Sequence, residues 1–162
     1  MTRRQARTDR NVAPAIYGQI LATAVVATLS EDGSISAGEL LFWFATTMLV
    51  FWFAHVYAEA VAERFRRDRS LTWRDVRQVA RRESPELTSA LPALVILALG
   101  WLHALTEKAA TDLAIGVGVA ALFAWGFVIA RRSRLSPLAT AGAVAVNGAF
   151  GLAIVGLKVL VG

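Results

Sequence analysis

Apolar residues along the chain fall into five long runs that are separated by short polar segments. A helix needs roughly 17–25 mainly apolar residues to cross the hydrocarbon core of a bilayer, and each run is near or within that length. The pattern therefore predicts an all-α membrane protein with five transmembrane helices in one polytopic unit covering residues 1–162. The spans are expected at about 12–29, 39–62, 85–105, 113–130 and 137–159.

Short local motifs indicate where several of these helices begin. A Ser or Thr followed three residues later by an acidic residue is typical of a capping box. A Ser-Pro pair places a preferred N-cap residue before a proline at the first helical position. The capping boxes are Ser36 with Glu39 and Thr72 with Asp75, and the Ser-Pro pairs are residues 84–85 and 136–137.

The distribution of positive charge predicts the orientation in the membrane. All fifteen arginines lie in three blocks, at 3–10, 64–82 and 131–134, and each block flanks an apolar run. Positively charged residues next to spans are retained on the cytoplasmic side. The N-terminus, with a tail at 1–11, is thus expected inside and the C-terminus outside, in a multi-pass protein of a bacterial inner membrane. Because topology explains the net charge of +5, nucleic acid is not an expected partner.

The polar segment at 64–83 is predicted to be a cytoplasmic basic loop between spans 2 and 3. Apolar residues at helical spacing from Trp73 onward predict a short amphipathic helix over 73–83 that lies on the inner membrane surface. Its arginines would face anionic lipid headgroups; the alternative is a solvated basic linker. The residues expected on this lipid or partner surface are Trp73, Arg74, Arg77, Arg81 and Arg82.

Composition and motifs also limit the chemistry. The chain has no cysteine, so disulfides, thiolate metal sites and cysteine nucleophiles are excluded. The sequence has no Gly-rich phosphate loop, zincin pattern or Gly-x-Ser-x-Gly motif. We therefore predict neither enzymatic activity nor a cofactor.

A few polar residues lie within the predicted spans, where they are costly and are by default functional candidates. Helical rise places Gln19 and Asn147 near the midplane, and Tyr17 and His55 slightly to its cytoplasmic side. Glu59 is one turn from His55 on the same face of span 2. These five residues are the predicted transport or ion pathway, because a histidine beside a carboxylate can relay protons or bind a cation.

Two other interpretations of these residues stay open at this stage. Membrane histidines often serve only as hydrogen-bonded contacts between helices, and Glu59 is close enough to the interface to pair with an arginine. A metal site is weakly supported, because the second histidine, His103, is expected near the opposite membrane face.

The fifth span carries small residues at four-residue spacing, a pattern typical of tight helix packing. Such a seam could lie within one subunit or between subunits. The ridge consists of Ala141, Ala145, Ala149 and Ala153, bordered by Gly148 and Gly156.

Two functions fit these features. The first is a homo-oligomeric channel or transporter that moves protons or small cations through the polar site on span 2. The alternative is a non-transporting membrane scaffold or accessory subunit that docks partners through its basic loop.

Overall fold

The described residues form five helices. The computed structural model describes residues 12–30, 35–67, 70 and 72–161, and contains no strand among them. The predicted tail at 1–11 lies outside the described residues. The all-α class is confirmed for the described residues. The helices are α1 (Val12–Leu29), α2 (Ala37–Arg67), α3 (Trp73–Trp101), α4 (Glu107–Arg132) and α5 (Pro137–Val161).

Four of these helices, α2 to α5, are long and apolar enough to cross a membrane, whereas α1 is apolar but shorter. This is consistent with a multi-pass membrane protein. The fifth crossing by α1 and the inside–outside orientation stay predictions.

Three predicted helix starts are confirmed. Before α2, the Ser36 backbone N–H donates to Glu39 Oε2 at 3.0 Å, and the Glu39 N–H donates to Ser36 Oγ at 3.3 Å. Thr72 forms the corresponding capping box with Asp75 at the start of α3. At the start of α5, the Ala139 N–H donates to the hydroxyl of Ser136 at 3.3 Å.

The predicted start of the third span is wrong. The Ser-Pro pair at 84–85 does not begin a helix, and the predicted surface helix over 73–83 is not separate from the span, because α3 runs unbroken from Trp73 to Trp101. Proline has no N–H, so Pro85 leaves the Arg81 carbonyl without its helical donor. The hydroxyl of Ser84 donates to that carbonyl at 3.0 Å and takes the missing place.

The connection between α3 and α4 is also shorter than predicted. Helix α3 ends at Trp101, not near residue 105, and His103 adopts a positive φ of 57° in the turn that follows. Thr106 caps α4, accepting a hydrogen bond from the Ala109 N–H at 3.2 Å. Residues 107–112, which lie between the predicted third and fourth spans, therefore form the first turns of α4.

Short connections give the bundle two distinct ends. The arginine end contains the last turn of α2, the first turns of α3 and the last turn of α4, with the described arginines at 64–67, 74–82 and 131–134. At the opposite end, the Ala37 N–H donates to Glu107 Oε1 at 3.2 Å, linking α2 to α4. Lys158 Nζ donates to Ser30 Oγ at 2.7 Å there, linking α5 to α1.

The apolar core lies in the half of the bundle near the opposite end. Its largest buried side chains include Phe44 and Met48 of α2, Val26 of α1 and Leu97 of α3. Helix α5 lies at one edge and packs mainly on α4, and among the described residues none of its α-carbons lies within 8 Å of an α-carbon of α2. A polar cluster lies in the other half of the bundle, nearer the arginine end.

The alanine ridge of α5 does not form the seam with α4. All four of its alanines are exposed, and the backbone contact between the two helices is instead made by Gly126 against Ala143 and Val144.

Candidate functional site

The side chain of His55 lies between α2, α1 and α3. His55 lies nine residues before Arg64 in α2, which places it about 14 Å along the helix from the arginine end. The ring of Tyr17 in α1 packs against it, with 5.3 Å between ring centroids and a tilt of 54° between the planes. The two predicted residues are thus brought together, and 41 % of the His55 side chain stays exposed.

Two carboxylates of α3 face this imidazole. Nε2 of His55 lies 3.9 Å from Glu83 Oε2, and Nδ1 lies 4.0 Å from Glu86 Oε2. These separations are too long for hydrogen bonds but suit an ion pair when the imidazole is protonated. Each ring nitrogen is therefore nearest to a different carboxylate.

Glu86 is the most deeply buried member of the cluster. Its side chain is 0 % exposed, against 11 % for Glu83. Neither carboxylate oxygen of Glu86 has a hydrogen-bond partner among the described residues. An ionised carboxylate is costly to bury without such partners. The cost falls when the group holds a proton, or when a cation or an imidazolium closes on it.

Close packing of α1 fixes the backbone of α3 at this point. Gly18 lies against Glu86, so that a β-carbon at Gly18 would be 2.5 Å from the Glu86 carbonyl oxygen. Ser89 Oγ donates to the same carbonyl oxygen at 2.6 Å. A side chain at residue 18 would not fit, so the position of Glu86 depends on glycine there.

The neighbouring charges are mostly negative. Glu59, one turn beyond His55 on α2, is close enough to Glu83 for the two carboxylates to repel each other, and Glu83 and Glu86 repel as well. His55 and Arg82 act in the opposite sense on Glu83. A positive charge on the imidazole would stabilise both carboxylates of α3.

The structure does not bring the other two predicted pathway residues to this cluster. Gln19 is buried, and its side chain donates to Thr23 Oγ1 at 3.4 Å within α1. It lies two residues from Tyr17, about 200° around the helix. Asn147 donates to the Ala143 carbonyl at 3.0 Å within α5, and no α-carbon of α5 lies within 8 Å of one in α2 among the described residues.

The predicted basic surface occupies the first turns of α3. Trp73 is 78 % exposed, Arg74, Arg77 and Arg81 are exposed, and Arg82 is half-buried. Because α3 is continuous, these residues extend the span instead of forming a separate surface helix. Their contact with lipid headgroups stays a prediction.

Glu83 and Glu86 are not among the predicted pathway residues. Both lie at the boundary between the predicted basic loop and span 3, where acidic residues are unremarkable. The available signal was their three-residue spacing, which puts two carboxylates on one helical face if the helix continues through Pro85.

The described residues contain no group of three or more His, Asp or Glu side chains arranged to hold a metal ion. In the comparisons with known proteins, no protein-family model, curated protein or solved structure matches the chain.

Proposed function

We propose that this protein is a small homo-oligomeric channel or transporter of the bacterial inner membrane that moves protons or small cations. The pathway passes the cluster of His55, Glu83 and Glu86, with Tyr17 and Glu59 beside it. The observation that carries the proposal is the buried carboxylate of Glu86, which faces an imidazole and has no hydrogen-bond donor among the described residues.

The depth of the cluster supports a role in crossing the membrane. His55 is about 14 Å along α2 from Arg64 and about 27 Å from the other end of the helix at Ala37. A hydrocarbon core is about 30 Å thick, so His55 would lie within it if α2 crosses the membrane. Ionisable side chains at such a depth are expensive and typically mark ion pathways or proton relays.

The direct test is a flux assay on the purified protein in liposomes, comparing wild type with Glu86→Gln. Glutamine keeps the size and one acceptor oxygen, but it neither ionises nor releases a proton. We expect proton or cation flux to fall at least tenfold, with detergent-solubilised oligomer size unchanged.

Glu107→Gln is the matched control, because it makes the same exchange at the opposite end of the bundle. Its amide oxygen can still accept the hydrogen bond from the Ala37 N–H. Wild-type flux is expected in this variant. Equal flux in Glu86→Gln and Glu107→Gln would overturn the proposed pathway.

A second candidate, the scaffold or accessory subunit, is favoured by one specific observation. Two large aromatic side chains beside the arginines are among the most exposed of the chain, Phe65 at 80 % and Trp73 at 78 %. Exposed aromatic side chains next to positive charge suit a docking surface. Absence of flux in wild type, together with stable copurification of a partner that Trp73→Ala abolishes, would favour this function.

A further inference from the structure

The imidazole of His55 is placed between two carboxylates that lie at different depths. Glu83 is nearer the arginine end of α3, and Glu86 is three residues, or about 4.5 Å, further into the bundle. Nε2 is nearest to Glu83 and Nδ1 to Glu86. We propose that the transported species is the proton and that His55 passes it between Glu83 and Glu86; this inference rests on the proposed transport function.

The transfer can be written with every proton accounted for. His55 begins neutral with its proton on Nδ1, Glu83 begins protonated and Glu86 begins ionised. Glu83 gives its proton to Nε2, which forms the imidazolium, and Nδ1 then gives its proton to a Glu86 oxygen. The result is an ionised Glu83, a protonated Glu86 and a neutral imidazole with its proton on Nε2. The first arrangement returns when Glu86 releases its proton further into the bundle, Glu83 takes up another, and the imidazole exchanges its protons with water, losing one from Nε2 and gaining one at Nδ1.

The geometry favours a proton over a metal or alkali cation. The two nitrogens of an imidazole point away from each other, so an ion bound at one nitrogen is turned away from the other. A single ion held by His55 and both carboxylates would need both oxygens near the same nitrogen. In the structure they are divided between the two nitrogens.

The surrounding charges are compatible with this transfer. The net charge of the three groups is the same before and after the transfer, so no uncompensated charge is created in the apolar surroundings. The imidazolium that forms on the way lies 3.9 Å from Glu83 and 4.0 Å from Glu86, and both carboxylates stabilise it. Arg82 on α3 is the positive side chain that acts on Glu83, and Tyr17 is the titratable group on α1 facing the ring.

The distances require only a small movement. A hydrogen bond between a ring nitrogen and a carboxylate oxygen is about 2.7–3.0 Å long, so each separation must shorten by about 1 Å. The His55 side chain is 41 % exposed, so it is not enclosed on all sides. The ring therefore has space to approach each carboxylate in turn.

The test compares proton, Na⁺ and K⁺ flux in liposomes for wild type, His55→Gln and the control His103→Gln. A glutamine at residue 55 keeps a donor and an acceptor and can still contact a cation, but it does not bind and release protons. A positioned side chain that gives or takes a proton typically contributes about 10²–10⁴-fold to the rate of a reaction. We expect proton flux in wild type and His103→Gln, and a loss of at least 100-fold in His55→Gln.

The outcomes separate the two proposals. Proton flux that persists in His55→Gln, or wild-type flux of Na⁺ or K⁺ without protons, would overturn the relay and leave transport standing. No flux of any ion in wild type would overturn the transport function itself.

A second measurement covers the case in which His55→Gln does not fold. The carboxyl band of Glu86 can be identified in infrared spectra of the wild-type protein as the band that Glu86→Gln removes. The relay predicts that this buried carboxyl exchanges its proton for deuterium within the turnover time. A band that stays protonated over many turnovers would refute the relay.

Discussion

Gly18 lies where α1 meets the backbone of α3 beside Glu86, and Gly18→Ala tests this contact directly. A β-carbon at residue 18 would lie 2.5 Å from the Glu86 carbonyl oxygen, 2.6 Å from Ser89 Oγ and 2.7 Å from the Glu86 α-carbon. Ordinary contact begins at 3.4 Å, so the two helices would have to separate by 0.7–0.9 Å, which is 3.4 minus 2.7 and 3.4 minus 2.5.

The change in the free energy of unfolding caused by Gly18→Ala is the sum of two opposing contributions. Forcing a methyl group into a well-packed contact costs about 1–3 kcal/mol. Alanine is favoured over glycine inside a helix by about 1 kcal/mol, which offsets part of that cost. A suitable control removes the second contribution: Gly142→Ala in α5 makes the same exchange where no neighbouring atom lies within 4 Å of the new methyl group.

Both variants can be compared by equilibrium unfolding in mixed micelles with an increasing fraction of SDS, monitored by circular dichroism. We expect Gly18→Ala to be less stable than Gly142→Ala by about 1–3 kcal/mol, the cost of the clash alone. Because the clash is at Glu86, flux through Gly18→Ala should also fall while Gly142→Ala transports normally. Equal stability of the two variants would show that α1 and α3 do not approach as closely as described.

Three further changes test other contacts. Gly126→Ala would place its methyl group 2.7 Å from the backbone of α5 and should lower the free energy of unfolding by about 1–3 kcal/mol relative to Gly116→Ala, which meets no atom within 4 Å. Thr72→Ala removes the capping box of α3 and should speed hydrogen exchange in its first turn by an amount equivalent to about 1 kcal/mol, whereas Thr72→Ser should not. Lys158→Met removes the 2.7 Å hydrogen bond to Ser30 and should destabilise the contact between α5 and α1 by about 1 kcal/mol, whereas unchanged unfolding in SDS would contradict that contact.

The sequence predicted the helix starts best where a few neighbouring residues determine them. The capping pairs at Ser36 and Thr72 form hydrogen bonds over only three residues, so their pattern is visible in the sequence. The prediction that Pro85 begins a helix was wrong, because a serine can precede a proline both at the start of a helix and inside one. What distinguishes them is the hydrogen bond from Ser84 to the Arg81 carbonyl, and this requires the preceding turn to be helical already.

Only part of the candidate site could be predicted from the sequence, for a related reason. His55 stands out as a histidine in an apolar run, and Glu59 follows it at helical spacing. The carboxylates nearest to its ring nitrogens belong to a different helix. Which residues of α3 meet His55 depends on how the two helices are aligned, and helix counting gives the depth of a residue but not the direction of its neighbours.

The continuity of α3 has a mechanical consequence. The helix is unbroken from Trp73 through Glu86, so a rotation of the turns that carry Arg74 and Arg81 is passed along the backbone to Glu83 and Glu86. Side chains end about 5–6 Å from a helix axis, so a rotation of about 10° moves them by about 1 Å. That is the difference between the present separations of 3.9 and 4.0 Å and a hydrogen bond to His55. A small twist applied at the arginine end of α3 is therefore enough to connect the imidazole of His55 to these carboxylates or to disconnect it.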